Sequence, residues 1–276
     1  MSLSILNNIP SLMAENQLDV TQQGLQKTLF QLSSGSRINS GADDAAGLAI
    51  ADVLGANITA LQQSGANAND GVGALQVADG SLAQVTTLLN RAVTLATESA
   101  TGTVSSDQRT AIDAEFQAIK AEIDQIGSQT SFNGTSVFTA STTSIFLSDA
   151  NSNSTIAVNV GVLSSSSVGS AATNLSADDL TTAANATTAL SDINKAIAGV
   201  AASRGDLGAT MNRLAAAVNV MQNQVQNLTA AQDTITAADI GTSVANLSKY
   251  QILQQTGISA LAQANSSQQA VLKLLQ

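Results

Sequence analysis

The chain has 276 residues and a net charge of −10, and it contains no Cys, no His and no Trp. This composition excludes disulfides, thiol nucleophiles and histidine-based acid–base or metal chemistry, and the negative charge argues against nucleic acid, because phosphate binding needs clustered Lys and Arg. Hydrophobic residues make up 44% of the sequence but aromatic residues only 2%, so the core must consist of small and aliphatic side chains, which suits closely packed helices.

Two further classes of segment are missing from the sequence. We find no run of about twenty consecutive apolar residues, so we predict no membrane insertion. Residues 1–17 lack the basic start and the continuous apolar stretch of a secretory signal peptide. If the protein leaves the cell, we expect it to be exported without a cleavable signal peptide.

The first segment, residues 1–32, carries leucines at heptad spacing. Pro10 near its beginning predicts a helix start or a break there. The seam that we predict for this terminal helix consists of Leu18, Leu25, Leu29 and Leu32.

A Ser- and Gly-rich stretch, residues 33–42, has no helical periodicity and predicts a connector. Ser40, with Asp43 three residues later, indicates the start of the next helix. From Asp43 to Ser99, apolar and small residues recur every seven positions over eight heptads. Such a pattern predicts a long helix with coiled-coil-like packing.

A third helix is expected from the capping box formed by Ser105 and Gln108, and Gly127 is a plausible residue for its C-terminal cap. Helical spacing then stops over residues 131–176. Within that region, residues 144–147 and 155–160 have the composition and alternation of strands, which predicts one β-hairpin.

Two more helical patterns follow, from about Asp179 to Ile235 and from Ile240 to the end of the chain. Arg204 occupies a core seam position, which predicts either a carboxylate partner on a neighbouring helix or a side chain whose charged end reaches water. The heptad frame slips by one residue at residues 236–239, and such a slip marks a joint between packing units. The seam of the last helix includes Ile240, Val244, Leu247, Ile258, Leu261, Leu272 and Leu275. This helix has two apolar stripes and few charges, so we expect it to pack against other copies of the chain.

Together these elements predict a mainly α protein of long antiparallel coiled-coil-like helices with one β-hairpin. We expect residues 1–32 and 240–276 to pair as a separate terminal helical domain. Connectors at 33–42 and 236–239 would join it to a helical rod, residues 43–235, that carries the hairpin region at about 131–176.

Several motifs resemble those of bacterial flagellins. Residues 33–50 are similar to the N-terminal flagellin signature, in which Ser-Ser-Gly, Arg-Ile-Asn-Ser and Asp-Asp-Ala-Ala-Gly-Leu-Ala-Ile follow one another. Similar motifs also occur at residues 67–71, 132–134, 204–209, 251–255 and 261–265. The chain departs from the family pattern at Ala66, where Arg is frequent, and at Gln268, where Pro is usual.

The resemblance implies a structural subunit, and not an enzyme, that polymerises into the extracellular flagellar filament used for swimming. The chain itself would then be its own main partner in a helical homopolymer, without cofactor or metal, and the terminal seam residues would form the subunit interface. Type III export, hook-associated and cap proteins, and an export chaperone at the C-terminal helix are further implied. The alternatives are a hook–filament junction protein and a non-polymerising coiled-coil adhesin.

The resemblance also implies a surface for the Toll-like flagellin receptor. The receptor-contacting Arg, Leu and Glu of recognised flagellins align with Arg91, Leu95 and Glu115 here. Arg91 and Leu95 are four residues apart and share a helix face. Both lie outside the seam formed by Leu89, Ala92 and Ala96, so we expect this face to be open to solvent in the monomer. The alternative is an ordinary Arg–Glu bridge between two helices.

Overall fold

The computed structural model describes residues 8–148, 154–169 and 172–274, with side chains up to residue 270. In that part of the chain there are five α-helices and four short strands. The helices are α1 (Ile9–Ser34), α2 (Ala45–Ala100), α3 (Ser106–Gln129), α4 (Ala183–Thr236) and α5 (Ile240–Leu274). The strands are β1 (Ser131–Phe132), β2 (Thr135–Ser136), β3 (Thr143–Phe146) and β4 (Thr155–Val158). The predicted mainly α class with a hairpin is confirmed.

The chain divides into two compact units. The terminal unit consists of residues 1–56 together with 227–276, and the central unit consists of residues 57–226. The predicted connectors at 33–42 and 236–239 coincide with the breaks between α1 and α2 and between α4 and α5. The compact units divide within α2 and α4 instead, so a domain border at the connectors stays a prediction.

Local sequence explains where the helices begin. In α1, Pro10 lies in the first turn and the Asn8 side chain accepts a hydrogen bond from the Ser11 backbone N–H at 3.1 Å. The predicted capping box of Ser105 and Gln108 is present at α3.

The predicted start of α2 near Ser40 and Asp43 is wrong. The helix begins at Ala45, and the Asp44 carboxylate accepts from the Gly47 N–H at 2.9 Å. Asp43 lies before the helix, and its carboxylate accepts hydrogen bonds from the Ser40 side chain and backbone.

The core of the central unit follows the predicted heptads. Buried seam residues of α2 in this unit are Leu61, Ala68, Leu75, Ala78, Leu82, Val85, Leu89, Ala92 and Ala96, and those of α4 are Ile193, Val200, Leu207, Leu214 and Met221. Two buried serines on α2 interrupt the apolar seam. Ser64 donates its hydroxyl to the Ser148 carbonyl at 2.9 Å and Ser99 donates to the Leu180 carbonyl at 2.6 Å. Both hydroxyls therefore avoid the cost of an unpaired buried polar group.

Arg204 has the carboxylate partner that its seam position predicted. Its Nε lies 2.7 Å from Asp79 Oδ1 on α2, and its Nη2 lies 3.3 Å from Oδ2. This two-point hydrogen bond lowers the pKa of Asp79. The planar guanidinium matches a carboxylate in this geometry, so the pair fixes orientation as well as contact between α2 and α4.

The predicted hairpin is present as β3 and β4, which pair antiparallel with Ile145 opposite Ile156. The strand expected at 155–160 ends at Val158, and the turn expected at 149–154 lies largely outside the described residues. A second, two-residue hairpin, β1–β2, was not predicted. It turns at Asn133 and Gly134, which have φ values of +50° and +77°. Strands this short carry no alternation that a sequence pattern can reveal.

The expectation that Gly127 caps α3 is wrong. The helix continues to Gln129 and ends at Thr130, whose N–H donates to the Ile126 carbonyl at 3.1 Å. Gly127 is buried, and the backbone carbonyl of Leu163 occupies the space that a β-carbon would need. The glycine therefore allows a loop to approach the helix closely.

Helix α2 is, by length and composition, apolar enough to cross a membrane. The sequence nevertheless has no run of about twenty consecutive apolar residues, because Ala, Gly and Leu spread between polar residues raise the average hydropathy without forming a continuous run. Core helices of water-soluble proteins pass the same test, so the finding is weak evidence of a span. The absence of membrane insertion stays a prediction.

Two glycine substitutions test this packing. Gly127→Ala is expected to lower the free energy of unfolding by about 1–3 kcal/mol, because the new methyl group meets the Leu163 carbonyl. Gly80→Ala on α2, where nothing lies within 4 Å, is the matched control and is expected to raise it by up to about 1 kcal/mol through helix propensity. Urea unfolding followed by circular dichroism measures both, and equal effects of the two substitutions would contradict the close approach.

Candidate functional site: the terminal helix pair

Helices α1 and α5 form an antiparallel pair in the terminal unit. Three contacts along the pair define its register: Ser11 Oγ lies 3.2 Å from Asn265 Oδ1, Gln254 Nε2 donates to Gln22 Oε1 at 2.9 Å, and the Tyr250 ring lies over Gly24. The inward residues recur at alternating intervals of three and four. They are Ala14, Leu18, Thr21, Leu25, Thr28 and Leu32 on α1 and Ser243, Leu247, Tyr250, Gln254, Gly257, Leu261 and Ala264 on α5.

The contact between α1 and α5 does not enclose an apolar core. Its fully buried side chains on these two helices are polar, namely Thr21, Thr28 and Ser243. Thr21 donates to the Gln17 carbonyl at 2.7 Å and Thr28 donates to the Gly24 carbonyl at 2.8 Å. The leucines between them are only half-buried. The pair is a layer two helices wide with solvent on its remaining faces.

Large apolar side chains are exposed on these outer faces. Phe30 is 67% exposed and Ile252 is 64% exposed. The other members are Ile9, Leu12, Met13, Val20 and Leu29 on α1 and Ile240, Val244, Leu253 and Ile258 on α5. We call these eleven residues the outer apolar face. An exposed group of this size marks an interaction surface, because isolated proteins rarely leave so many large apolar side chains in water.

The structure divides the predicted subunit-interface residues into two sets. Leu18, Leu25, Leu32, Leu247 and Leu261 are half-buried where α1 meets α5. A second set lies on the outer apolar face: Leu29, Ile240, Val244 and Ile258. The side chain of Leu272 and all of Leu275 lie outside the described residues. On α5 the contact with α1 thus contains Leu247 and Leu261 of the predicted seam together with Ser243 and Tyr250, whereas Ile240, Val244 and Ile258 of the same seam face outward.

The two connectors of the terminal unit are hydrogen-bonded to each other. Ser36 and Ala237 form an antiparallel bridge, with the Arg37 N–H donating to the Thr236 carbonyl at 2.7 Å and the Ala238 N–H donating to the Gly35 carbonyl at 3.0 Å. The Arg37 guanidinium adds a bond to the Ile235 carbonyl at 2.7 Å. No sequence pattern indicated this contact, because it joins residues about two hundred positions apart.

Asp43 organises the first connector. Its carboxylate accepts hydrogen bonds from the backbone N–H groups of Asn39 and Ser40 and forms an ion pair with Lys27 at 2.7 Å. These bonds, that from Lys27 first, lower the pKa of Asp43 to about 2. The ion pair ties α1 to the segment that leads into α2.

The residues aligned with the receptor site lie in the central unit. Arg91 Nε lies 2.7 Å from Glu115 Oε1, and both side chains are about half exposed. Leu95 is only 2% exposed, so the expectation that its side chain is open to solvent is wrong. It lies beside the predicted seam, but α2 buries residues on a wider arc there, including Leu95 and Ala96 together.

The structure describes residues 8–148, 154–169 and 172–274. These ranges contain no group of three or more acidic side chains placed to hold a metal ion. The most prominent feature of the described terminal unit is the exposed outer apolar face.

Two family descriptions match the sequence. "Bacterial flagellin N-terminal helical region" matches residues 5–143, and "Bacterial flagellin C-terminal helical region" matches residues 190–275. These ranges contain α1, α2, α3 and α5 and most of α4.

Curated relatives match over nearly the whole chain. A flagellin of Halalkalibacterium halodurans is 34% identical, with 98% of this chain and 99% of the relative covered. The flagellar filament 33 kDa core protein of Treponema phagedenis is 33% identical over 98% and 99% of the two chains. A flagellin of Listeria monocytogenes is 32% identical over 99% of each chain. Among solved structures, the crystal structure of Bacillus cereus flagellin is similar, at 28% identity and a TM-score of 0.49, over 60% of this chain and 94% of that chain.

The role of Asp43 predicts a pH dependence. A carboxyl group with a lowered pKa stabilises the fold above its ordinary value of 3.8, and this stabilisation is lost as the pH falls through about 2. We expect the Asp43 carboxyl carbon to titrate in NMR near pH 2 in the wild type. In Lys27→Met the midpoint should rise towards 3.8, while that of Asp239, which is held by Thr242 instead, should not move. An Asp43 midpoint at 3.8 in the wild type would contradict the assignment.

Proposed function

The chain belongs to the bacterial flagellin family, and we propose that its terminal unit joins neighbouring subunits in the flagellar filament. The protein is a structural subunit of that filament, and swimming motility follows from this role. The observation that carries the proposal is the outer apolar face of α1 and α5. A layer of two helices leaves these side chains in water until other copies cover them.

The size of this face supports assembly. Each large apolar side chain that leaves water contributes about 1.5–3 kcal/mol. Association is opposed by the loss of translational and rotational freedom, which costs on the order of 4–15 kcal/mol per association step. Eleven such residues, even partly covered, are enough to offset that cost. Copies that meet through different patches form an open helical polymer when the rotation between neighbours does not close into a ring.

The filament is an extracellular appendage of the bacterium. For this chain we further propose export without a cleavable signal peptide and contacts with hook-associated and cap proteins at the ends of the polymer. An export chaperone would cover the apolar side chains of α5 before assembly. The exposure of Ile252 and Ile258 supports a chaperone, because uncovered apolar side chains would promote aggregation before assembly. The relatives named above are filament proteins, which favours this role over a junction protein or an adhesin.

Recognition by the Toll-like flagellin receptor remains a separate proposal. It now rests on Arg91 and Glu115, whose exposed ion pair is accessible in the central unit, and no longer on Leu95. Arg91→Ala is expected to weaken binding of the monomer to the receptor ectodomain about tenfold, as loss of a central Arg at an interface does. Lys195→Ala, an equally exposed cation in an ion pair of the same unit, is the matched control. Equal affinities of the two variants would remove the proposal.

The filament role makes a sharp prediction for the outer apolar face. Ile258→Asp places a carboxylate where a neighbouring copy would bury it without a partner, at a cost of several kcal/mol. We expect the critical concentration for polymerisation to rise at least about a hundredfold. The monomer should keep its helicity, because Ile258 is 54% exposed and does not face α1. Sedimentation of polymer and circular dichroism of the supernatant measure the two quantities.

Two controls complete this experiment. Val220→Asp, an equally exposed apolar residue of the central unit at 56%, should leave the critical concentration within about threefold of the wild type, as expected for a surface change outside the interface. Leu261→Asp should reduce helicity as well as polymerisation, because Leu261 packs between α1 and α5. Normal filaments from Ile258→Asp would contradict the proposal.

A further inference from the structure

Cations without a partner are scarce in this acidic chain. It has ten Lys and Arg residues against twenty Asp and Glu. Seven of the ten bind a carboxylate or a backbone carbonyl: Lys27, Arg37, Arg91, Arg109, Lys120, Lys195 and Arg204. Lys249 and Arg213 have no such partner within the described ranges, and the side chain of Lys273 lies outside them. A free cation is therefore informative about where a negative partner docks.

Lys249 is placed at the edge of the outer apolar face. It lies on α5 and is exposed, and Leu253, one turn further on, is an exposed member of that face. Its neighbour Tyr250 faces α1 and lies over Gly24. Lys249 thus stands beside the contact between α1 and α5, with its ammonium group in solvent.

A pair of carboxylates borders the same face on α1. Glu15 and Asp19 are four residues apart, so they share one side of the helix and repel each other. Both are exposed, and neither forms an ion pair with a described residue. Exposed Leu12 lies three residues before Glu15, exposed Val20 directly follows Asp19, and both belong to the outer apolar face. Lys249 and the two carboxylates therefore carry opposite charges beside exposed apolar side chains of the same two-helix layer. Lys249 lies on the side where Leu253 and Gln17 line a groove, and the carboxylates, two residues either side of Gln17, lie on the other side of α1.

The register of α1 and α5 keeps these groups apart within one molecule. Tyr250 lies over Gly24, whereas Asp19 and Glu15 lie five and nine residues before Gly24. At 1.5 Å per residue this is an offset of about 8 and 14 Å along the helix. A second copy that stacks on the layer, displaced along it by such a distance, brings its Lys249 level with the carboxylates.

We propose that Lys249 of one subunit docks against Glu15 and Asp19 of a neighbouring subunit in the polymer. The occupant of this edge is a second copy of the chain, selected by opposite charge next to a shared apolar contact. The proposal rests on the filament role and adds the residues that set the register between copies. Apolar side chains supply non-directional attraction, whereas a charge pair suppresses misaligned docking and fixes the register.

The first test is polymerisation of the full chain carrying Lys249→Glu. We expect its critical concentration to rise about tenfold or more at low salt, because three carboxylates then meet at one contact. The effect should shrink to about threefold or less at 1 M salt, where charges are screened beyond about 3 Å. Lys195→Glu makes the same change of net charge in the central unit and should have less than about a twofold effect. If Lys249→Glu and Lys195→Glu behave alike, the proposal is overturned.

The reciprocal change gives the second test. Glu15→Lys with Asp19→Lys, added to Lys249→Glu, restores opposite charges with the signs exchanged. We expect the critical concentration to return to within about threefold of the wild type, as for a coupled charge pair. A triple variant that polymerises no better than Lys249→Glu would count against the pair. Wild-type protein that does not polymerise at all would instead overturn the filament role itself.

A cross-linking test does not depend on how strongly the variants polymerise. The chain has no Cys, so copies with Asp19→Cys can be mixed with copies that carry Lys249→Cys and then oxidised. A disulfide-linked dimer should form in the polymer and not in dilute monomer, since the two sulfurs belong to different copies. Asp52→Cys, an exposed acidic position on α2, replaces Asp19→Cys in the control and should give no dimer. Polymer without the Asp19–Lys249 dimer would overturn the docking.

Discussion

The constraint on which the rest of this structure depends is that two helices packed side by side can cover only one face of each other. In the terminal unit, α1 and α5 meet through half-buried leucines and buried threonines. Their remaining faces carry Phe30, Ile252 and other large apolar side chains that no described residue of the unit covers. These side chains can be removed from water only by other molecules. Their burial between copies therefore supplies the driving force for a polymer.

In the central unit, the apolar faces of the helices are covered by other elements of the same chain. There α2, α3 and α4, the β3–β4 hairpin and loop residues enclose an apolar core along the seams of α2 and α4, which hydrogen-bonded serines interrupt. Helices, strands and loops approach one another closely in this core, because the sequence has few aromatic side chains to fill wider gaps. Gly127 admits the Leu163 carbonyl, and Gly71 lies against the Ile145 side chain. The pair of Arg204 and Asp79 then holds two helices in one register by a directional contact that Ala and Leu cannot provide.

Most of the positive charges bind partners within the chain, and few are left for contacts with other copies. Most cations of this acidic chain are used internally, as with Lys27 on Asp43 and Lys120 on the carbonyl groups of Ser176 and Asp178. Burial lowers the pKa of Lys120, and two backbone carbonyls compensate for the water that its ammonium group loses. Few positive charges remain for contacts between copies, so the placement of those few has a large effect on how a strongly negative chain can associate with itself.

The sequence by itself determined the helices, because heptad spacing is a local, repeated signal that survives small errors of position. The capping box at Ser105 and the break at 33–42 were predictable from residue type and spacing. For Arg204 the seam position left a carboxylate partner as one of two alternatives, and the structure has that partner. Flagellin motifs near both ends likewise indicated the family before any coordinates. Short elements such as β1–β2 were missed, since two residues cannot show a period.

Only the tertiary structure decided which side of α5 is covered. Leu247 and Leu261 of the predicted seam meet α1, whereas Val244 and Ile258 of the same seam lie on the outer apolar face. Tertiary packing also buried Leu95 and joined the connectors through Arg37 and Ile235. Contacts between residues far apart in the chain depend on how whole helices are placed, and that placement is a sum over many weak interactions that no local pattern encodes.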